Sequence, residues 1–167
     1  MKPIPAPQYE LRPAERSDIP AILTLMQEMA EFEELAHLLR ASEASLANSL
    51  FGPAPAAHCL IGHPAGEPDG PVAYAMWFHN YSSFLDRRGL YLEDLYIQPA
   101  HRRRGLGRQI LRHLARVALE RDCGRFEWVV LDWNRNAIDF YLHHGAEILD
   151  EWRIVRMTGD ALQRLAA

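Results

Sequence analysis

LYLEDLYIQPAHRRRGLGR, residues Leu90 to Arg108, is the stretch from which the rest of the chain is read. Its first half, Leu90–Ile97, is apolar and suits a buried strand, yet two adjacent carboxylates, Glu93 and Asp94, interrupt it. Consecutive strand residues point to opposite faces, so only one of the two carboxylates faces a given ligand. Pro99 stops the strand. Four arginines, Arg102, Arg103, Arg104 and Arg108, are then interleaved with Gly105 and Gly107. Leu106, Ile110, Leu111, Leu114, Val117 and Ala118 follow at helical spacing and form one apolar face. A strand, a glycine-bearing turn and a helix start make an anion site, because the first amides of a helix have no partner within it. Glycines let a ligand approach the backbone closely.

Upstream, Glu10–Pro13 reads as a first strand. Ser17 or Asp18 caps a helix that tolerates Pro20 in its first turn. Ile19, Ile22, Leu23, Met26, Met29 and Ala30 form its buried face. That helix ends in Glu31, Phe32, Glu33 and Glu34. Carboxylates there oppose the helix dipole, so the cluster either serves a cation or is a solvated face. Ser42 caps a second helix through Leu46 and Leu50. Strands at His58–His63 and Val72–His79 flank a turn at Pro64–Gly70, and Tyr81–Arg88 reads as a polar loop.

Downstream, Arg125–Leu131 is a strand, and Asn134 caps a helix, Arg135–His144, that Gly145 closes. Ala146–Asp150 and Trp152–Met157 read as a final antiparallel pair, and Asp160–Leu165 as a tail helix. The fold class is α/β: one domain with a twisted, mostly antiparallel mixed sheet flanked by helices, and one parallel step at the central strand–helix–strand unit. Residues 1–8, with three prolines, read as a flexible arm before a domain at 9–167.

A chain of 167 residues is long enough for one sizeable core. With 49% hydrophobic and 24% charged residues it has the balance of a globular protein. No apolar run approaches the ~18 residues that span a membrane, and the prolines at the N-terminus leave no signal-peptide core. A net charge of −4 disfavours nucleic acid as a partner and suits a cationic substrate. Cys59 and Cys123 are far apart and read as reduced thiols of a cytoplasmic protein. The eight histidines show no metal spacing, so no metal is expected.

The spacing Arg102-x-x-Gly105-x-Gly107, with Asp132-Trp133-Asn134 and Asn136-Ala137-Ile138-Asp139-Phe140-Tyr141 about thirty residues on, resembles the GNAT superfamily of N-acetyltransferases. The string YLEDLYI is most similar to the diamine (spermidine/spermine) and thialysine acetyltransferase branch. The resemblance covers nearly the whole chain. It implies acetyl-CoA as co-substrate and direct attack by an amine in a ternary complex. Arg102, Arg103, Arg104, Gly105, Leu106, Gly107 and Arg108 would then hold the pyrophosphate. Leu95, Tyr96 and Ile97 would offer a free strand edge to the pantetheine arm, and a backbone N–H to the acetyl carbonyl. Asn134, Arg135, Asn136 and Ala137 would contact the cofactor.

By the same resemblance Glu93 binds the amine and relays its proton, and Tyr141 protonates the leaving sulfur. Phe32, Glu33, Glu127 and Trp128 fall at substrate contacts, although the types at 127 and 128 differ from the branch. Asp94 reads as structural. The branch also implies a homodimer. The expectation is an acetyltransferase acting on a primary amine of a small cation, a polyamine or thialysine-like lysine analogue. A protein N-terminal or lysine acetyltransferase, and a non-catalytic acyl-CoA-binding module, remain alternatives.

Overall fold

The computed structural model describes residues 8–67 and 70–167. These fall into two compact units, one ending at Val129 and one running from Val130 to Ala167. The expected N-terminal arm lies outside the described residues except for Gln8, as do Pro68 and Asp69 of the turn after residue 64.

In the first unit the chain runs β1 (Tyr9–Pro13), α1 (Ile19–Phe32), α2 (Glu43–Phe51), β2 (His58–Pro64), β3 (Ala73–Ser82), β4 (Arg87–Ile97), α3 (Leu106–Glu120) and β5 (Arg125–Trp128). The five strands lie side by side in chain order. Each of the first three pairings is antiparallel. The helix α3 then returns the chain so that β5 runs parallel to β4, the crossover a parallel pair requires. β3 and β4 pair as far as Ser82↔Arg87, which leaves a short turn where a longer polar loop was expected. Polar composition did not exclude strand there, because an antiparallel ladder tolerates polar residues on an uncovered face. β5 ends at Trp128, three residues short of the expected Leu131.

α1 and α3 end by the same device. α1 passes through Glu34 at φ +60°, with Leu35 N–H donating to Ala30 O at 2.8 Å and Glu34 N–H to Glu31 O at 3.1 Å. α3 does the same through Asp122 at φ +53°, with Cys123 N–H on Ala118 O at 2.8 Å. Both are Schellman turns closed by a residue other than glycine. At the other end of α1, Asp18 spends its carboxylate on Arg12 Nη1 and Nη2 at 2.7 and 2.8 Å and on Glu15 N–H at 2.7 Å, and so ties the helix start to β1. Ser42 caps α2 as the sequence indicates, its hydroxyl accepting from Ser45 N–H.

One core layer packs α1 and α2 on the sheet: Ile19, Ile22, Leu25, Leu46 and Leu50 meet Ile61, Tyr74 and Tyr96. Leu25 carries more of that face than the predicted Leu23 and Met26, which are only half-buried. On α3 the apolar stripe Leu106, Ile110, Leu111, Leu114 and Ala118 is buried, while Arg108, Arg112 and Arg116 stay exposed. Burying each such Leu or Ile contributes roughly 1.5–3 kcal/mol, so α3 is held by its stripe.

The second unit carries α4 (Arg135–His143) and α5 (Gly159–Ala166). Asn134 caps α4, Oδ1 accepting from Ala137 N–H at 3.2 Å, and Gly145 closes it at φ +90°. The expected strand pair within residues 146–157 is not formed. Trp152, Ile154 and Val155 are exposed there, and strand propensity without a partner or cover does not make a strand.

Candidate active site

β4 positions most of the site. Its ladder with β5 runs only from Gly89↔Arg125 to Leu92↔Trp128. Beyond that pair, residues 93–97 extend past the end of β5. The β3–β4 register also slips here: Met76 pairs with Asp94 and Trp77 with Leu92. Glu93 is therefore the extra residue of a bulge, a device that re-aims a side chain next to functional sites. It is exposed.

Asp94 turns the other way, toward α1. Its Oδ2 accepts from the Tyr74 hydroxyl at 3.2 Å, and Tyr74 in turn lies 3.4 Å from Met29 Sδ on α1. Burial, then the charges of Glu93 and Glu33, push the Asp94 carboxyl up to about 6, against the Tyr74 hydrogen bond, which works downward. Glu33, the residue that caps the C-terminus of α1, also has its carboxyl raised by burial. The last turn of α1 has no basic residue. Glu33 and Asp94 are thus partly desolvated carboxylates, and the exposed Glu93 lies near enough for its charge to act on Asp94. Asp94 reads as structural in the sequence, and its bond to Tyr74 fits that, although alternation alone does not say which face is covered.

Beyond β4 the chain curls. Arg103 takes φ +58° and Gly105 φ +87°. Left-handed residues interspersed in a turn bring successive N–H groups together into an anion-binding concavity. The first amide bonded within α3 is Gln109, to Gly105 O at 3.0 Å, so those of Leu106, Gly107 and Arg108 precede the helical ladder. A Cβ built on Gly105 meets nothing within 4 Å. Arg103, Arg104 and Arg108 are exposed around this loop. Arg102 is used differently. Its Nε donates to Ile97 O at 2.8 Å, and its guanidinium lies 4.7 Å from the Phe32 ring centre and 5.5 Å from that of Tyr96. It pins the loop between β4 and the end of α1. An open cavity of about 590 Å³ adjoins it, lined in part by Glu28, Phe32, Tyr96 and Arg102.

Glu127 stands opposite Tyr91 on β5, not opposite Glu93. Its Oε1 accepts from Asn80 Nδ2 at 2.6 Å and pairs with Arg125 at 3.1 Å. Trp128 packs against Phe126, rings 4.9 Å apart. Tyr141 lies in α4 of the second unit, half-buried beside Phe140 at 5.4 Å, two turns beyond the Asn134 cap. The Cys59 thiol is pushed up to about 12, by burial first and then by Asp18 and Asp94. Burial also raises Cys123. Neither supplies a thiolate nucleophile near neutral pH. Among the described residues no group of three His, Cys, Asp or Glu could hold a metal ion, and no helix is long and apolar enough to cross a membrane.

An acetyltransferase (GNAT) family profile matches residues 20–146, which spans parts of both units. The chain belongs to the GNAT family. N-acetyltransferase activity follows from that membership, and the family uses acetyl-CoA as co-substrate. The chain is 38% identical over 164 residues to a thialysine N-epsilon-acetyltransferase of Bos taurus, covering 93% of this chain and 96% of that one. It is 34% identical over 197 residues to an L-ornithine N5-acetyltransferase of Arabidopsis thaliana, covering 93% and 86%. An integron cassette protein of the Vibrio cholerae mobile metagenome has the same fold, with TM-score 0.79, 23% identity, and 96% and 99% coverage.

Proposed function

We propose that this GNAT chain transfers acetyl from acetyl-CoA to a primary amine of a small cationic molecule of the thialysine, ornithine or polyamine kind. The observation that carries the reading is the end of the β4–β5 ladder at Leu92↔Trp128, directly before the Glu93 bulge. One side of β4 then has backbone groups to spare beside the Glu93 and Asp94 carboxylates. In this reading the amides at 103–108 bind the pyrophosphate, with Arg103, Arg104 and Arg108 on its outer oxygens. The edge of Leu95, Tyr96 and Ile97 pairs with the pantetheine arm, and an N–H there holds the acetyl carbonyl oxygen. Such a fixed donor stabilises acyl transfer by a few kcal/mol. Arg102 keeps the loop in place. Asn134, Arg135, Asn136 and Ala137 are further cofactor contacts in this reading.

Glu33, Glu93 and Asp94 draw in the cation, with Phe32, Glu127 and Trp128 bounding its site. Glu93 relays the proton that the amine must lose. An amine near pKa 10 keeps its proton at neutral pH, so a carboxylate passes it on instead of storing it. Tyr141 returns a proton to the leaving sulfur. The raised thiols of Cys59 and Cys123 support direct attack over an acyl-enzyme. The proposal extends to residues 9–167 acting as one domain, to a cytoplasmic setting and to a homodimer. A monomer mass by light scattering at micromolar concentration would remove the dimer.

The test is a panel of amines incubated with acetyl-CoA, read as free thiol released. Diamines, thialysine and ornithine are expected to turn over well above matched uncharged amines and a lysine-bearing peptide. Preference for the peptide would point to a protein acetyltransferase, and binding of CoA without turnover of any amine to a non-catalytic module. The phosphate cradle has its own check. Gly105→Val places a branched side chain at φ +87°, where non-glycine residues are strained by roughly 1–3 kcal/mol, and into the open space of the loop. CoA affinity by calorimetry is expected to fall about tenfold or more. Unchanged affinity would show that the pyrophosphate binds elsewhere.

A further inference from the structure

A second cavity, of about 320 Å³, opens in the first unit between Pro13, the end of α2, the start of β2 and the C-terminal half of α3. It shares no residue with the cofactor loop or with the carboxylates Glu33, Glu93 and Asp94. It meets α3 at His113 and Val117, and the chain just past α3 at Arg121, whereas the loop precedes Leu106. At 1.5 Å per residue, the eleven steps from Leu106 to Val117 amount to about 16 Å of helix.

The chemistry of its walls is one-sided. Leu50, Phe51, Trp77 and Val117 make it apolar and aromatic, and its polar side chains are those of His58, His113, Arg121 and Cys59, with no carboxylate among the lining residues. Arg121 is held in place. Its guanidinium sits 5.1 Å from the Trp77 ring centre, and its Nη1 donates to His79 Nε2 at 3.2 Å. His79 Nδ1 lies 3.1 Å from Gly89 O. A guanidinium only donates, so Nε2 faces Arg121 as an acceptor, and Nδ1 is left to face Gly89 O and, at 3.7 Å, the Cys123 thiol. Among the described residues no carboxylate pairs with Arg121. His58 stacks on Trp77, rings 4.3 Å apart. Burial, then Arg121 and His79, hold its imidazole below the ordinary value. A positioned, anion-free guanidinium beside an imidazole that is hard to protonate describes a place lacking a negative charge.

We propose that this cavity is a second ligand site, which takes a small aromatic carboxylate: Arg121 receives the carboxylate, and His58, Trp77 and Phe51 receive the ring. The guanidinium fork matches a carboxylate with two parallel hydrogen bonds. A cavity of this size sits at the small end of ligand pockets and suits one or two fused rings.

The test uses the full chain and follows histidine ring resonances by NMR while titrating benzoate, benzylamine or inorganic phosphate. Benzoate at millimolar concentration is expected to move the His58 signals and raise its pKa, with saturating CoA present or absent. Benzylamine, a ring without the anion, and phosphate, an anion without the ring, are expected to leave His58 in place. Arg121→Gln, at an exposed position, should weaken benzoate at least tenfold. If that variant loses its fold by circular dichroism, Arg121→Lys keeps the charge without the fork and should weaken benzoate at least threefold. Benzoate affinity within twofold of wild type in the folded variant overturns the site. So does an equal response to benzylamine or phosphate. Loss of the benzoate response on adding CoA would also overturn it, because the anion would then be bound in the acetyl-transfer site.

Discussion

Replacing Tyr141 by Phe is expected to lower kcat by roughly 10² to 10⁴, the range for losing a positioned general acid, while CoA affinity stays within about threefold. Tyr141 stands two turns along α4 from the Asn134 cap, half-buried against Phe140. Departing CoA is an alkyl thiolate and needs a proton. Phenols and alkyl thiols have similar reference pKa values, so a proton transfer between the two classes is nearly balanced. Removing one oxygen leaves the ring, its packing and the α4 cap, so binding and fold should persist. The measurement is steady-state kinetics with a diamine, joined to calorimetry with CoA. Turnover within twofold of wild type would exclude Tyr141 as the acid, and collapse of CoA binding would recast it as a structural or cofactor contact.

The parts legible in the sequence were those fixed by local chemistry. Ser42 and Asn134 announce caps, and both accept the bonds that caps accept. Gly145 announces a left-handed helix end and has one. Gly105 and Gly107 announce a turn between β4 and α3, and Gly105 takes a φ that only glycine adopts freely. Features that depend on distant partners were not legible. The bulge at Glu93 exists because β3 and β4 slip between Met76 and Trp77, and neither strand alone encodes the slip. Helix ends at Glu34 and Asp122 use left-handed residues that propensity would assign to glycine. Residues 146–157 have the alternation of strands, but a strand forms only where another strand and a cover meet it. Glu127 falls at a substrate contact by resemblance, and only the fold adds that Asn80 and Arg125 engage it.

Asp94→Asn is expected to stabilise the apo protein above pH 6 while weakening amine binding. Burial and the neighbouring Glu93 and Glu33 charges raise the folded-state pKa of Asp94 from about 3.8 to about 6. A carboxyl raised on folding opposes stability once it ionises. Below pH ~4 both folded and unfolded chains hold the proton and nothing is lost. Between ~4 and ~6 the folded chain alone keeps it, so stability falls as pH rises. Above ~6 the full penalty applies, and two pH units at ~1.4 kcal/mol each bound it at about 3 kcal/mol. The neutral amide removes that penalty, so the gain in Tm should be present at pH 7.5 and absent at pH 4. A bound ammonium would relieve the same repulsion by supplying the missing positive charge. The wild type should therefore gain more Tm from a diamine at pH 7.5 than Asp94→Asn does, and the variant's amine KM should rise about tenfold or more, as befits a lost hydrogen-bonded charge contact. Thermal melts at the two pH values, with and without diamine, separate the possibilities. Destabilisation at both pH values would mean that Asp94 serves the fold through Tyr74, and an unchanged amine KM would leave the cation to Glu33 and Glu93 alone.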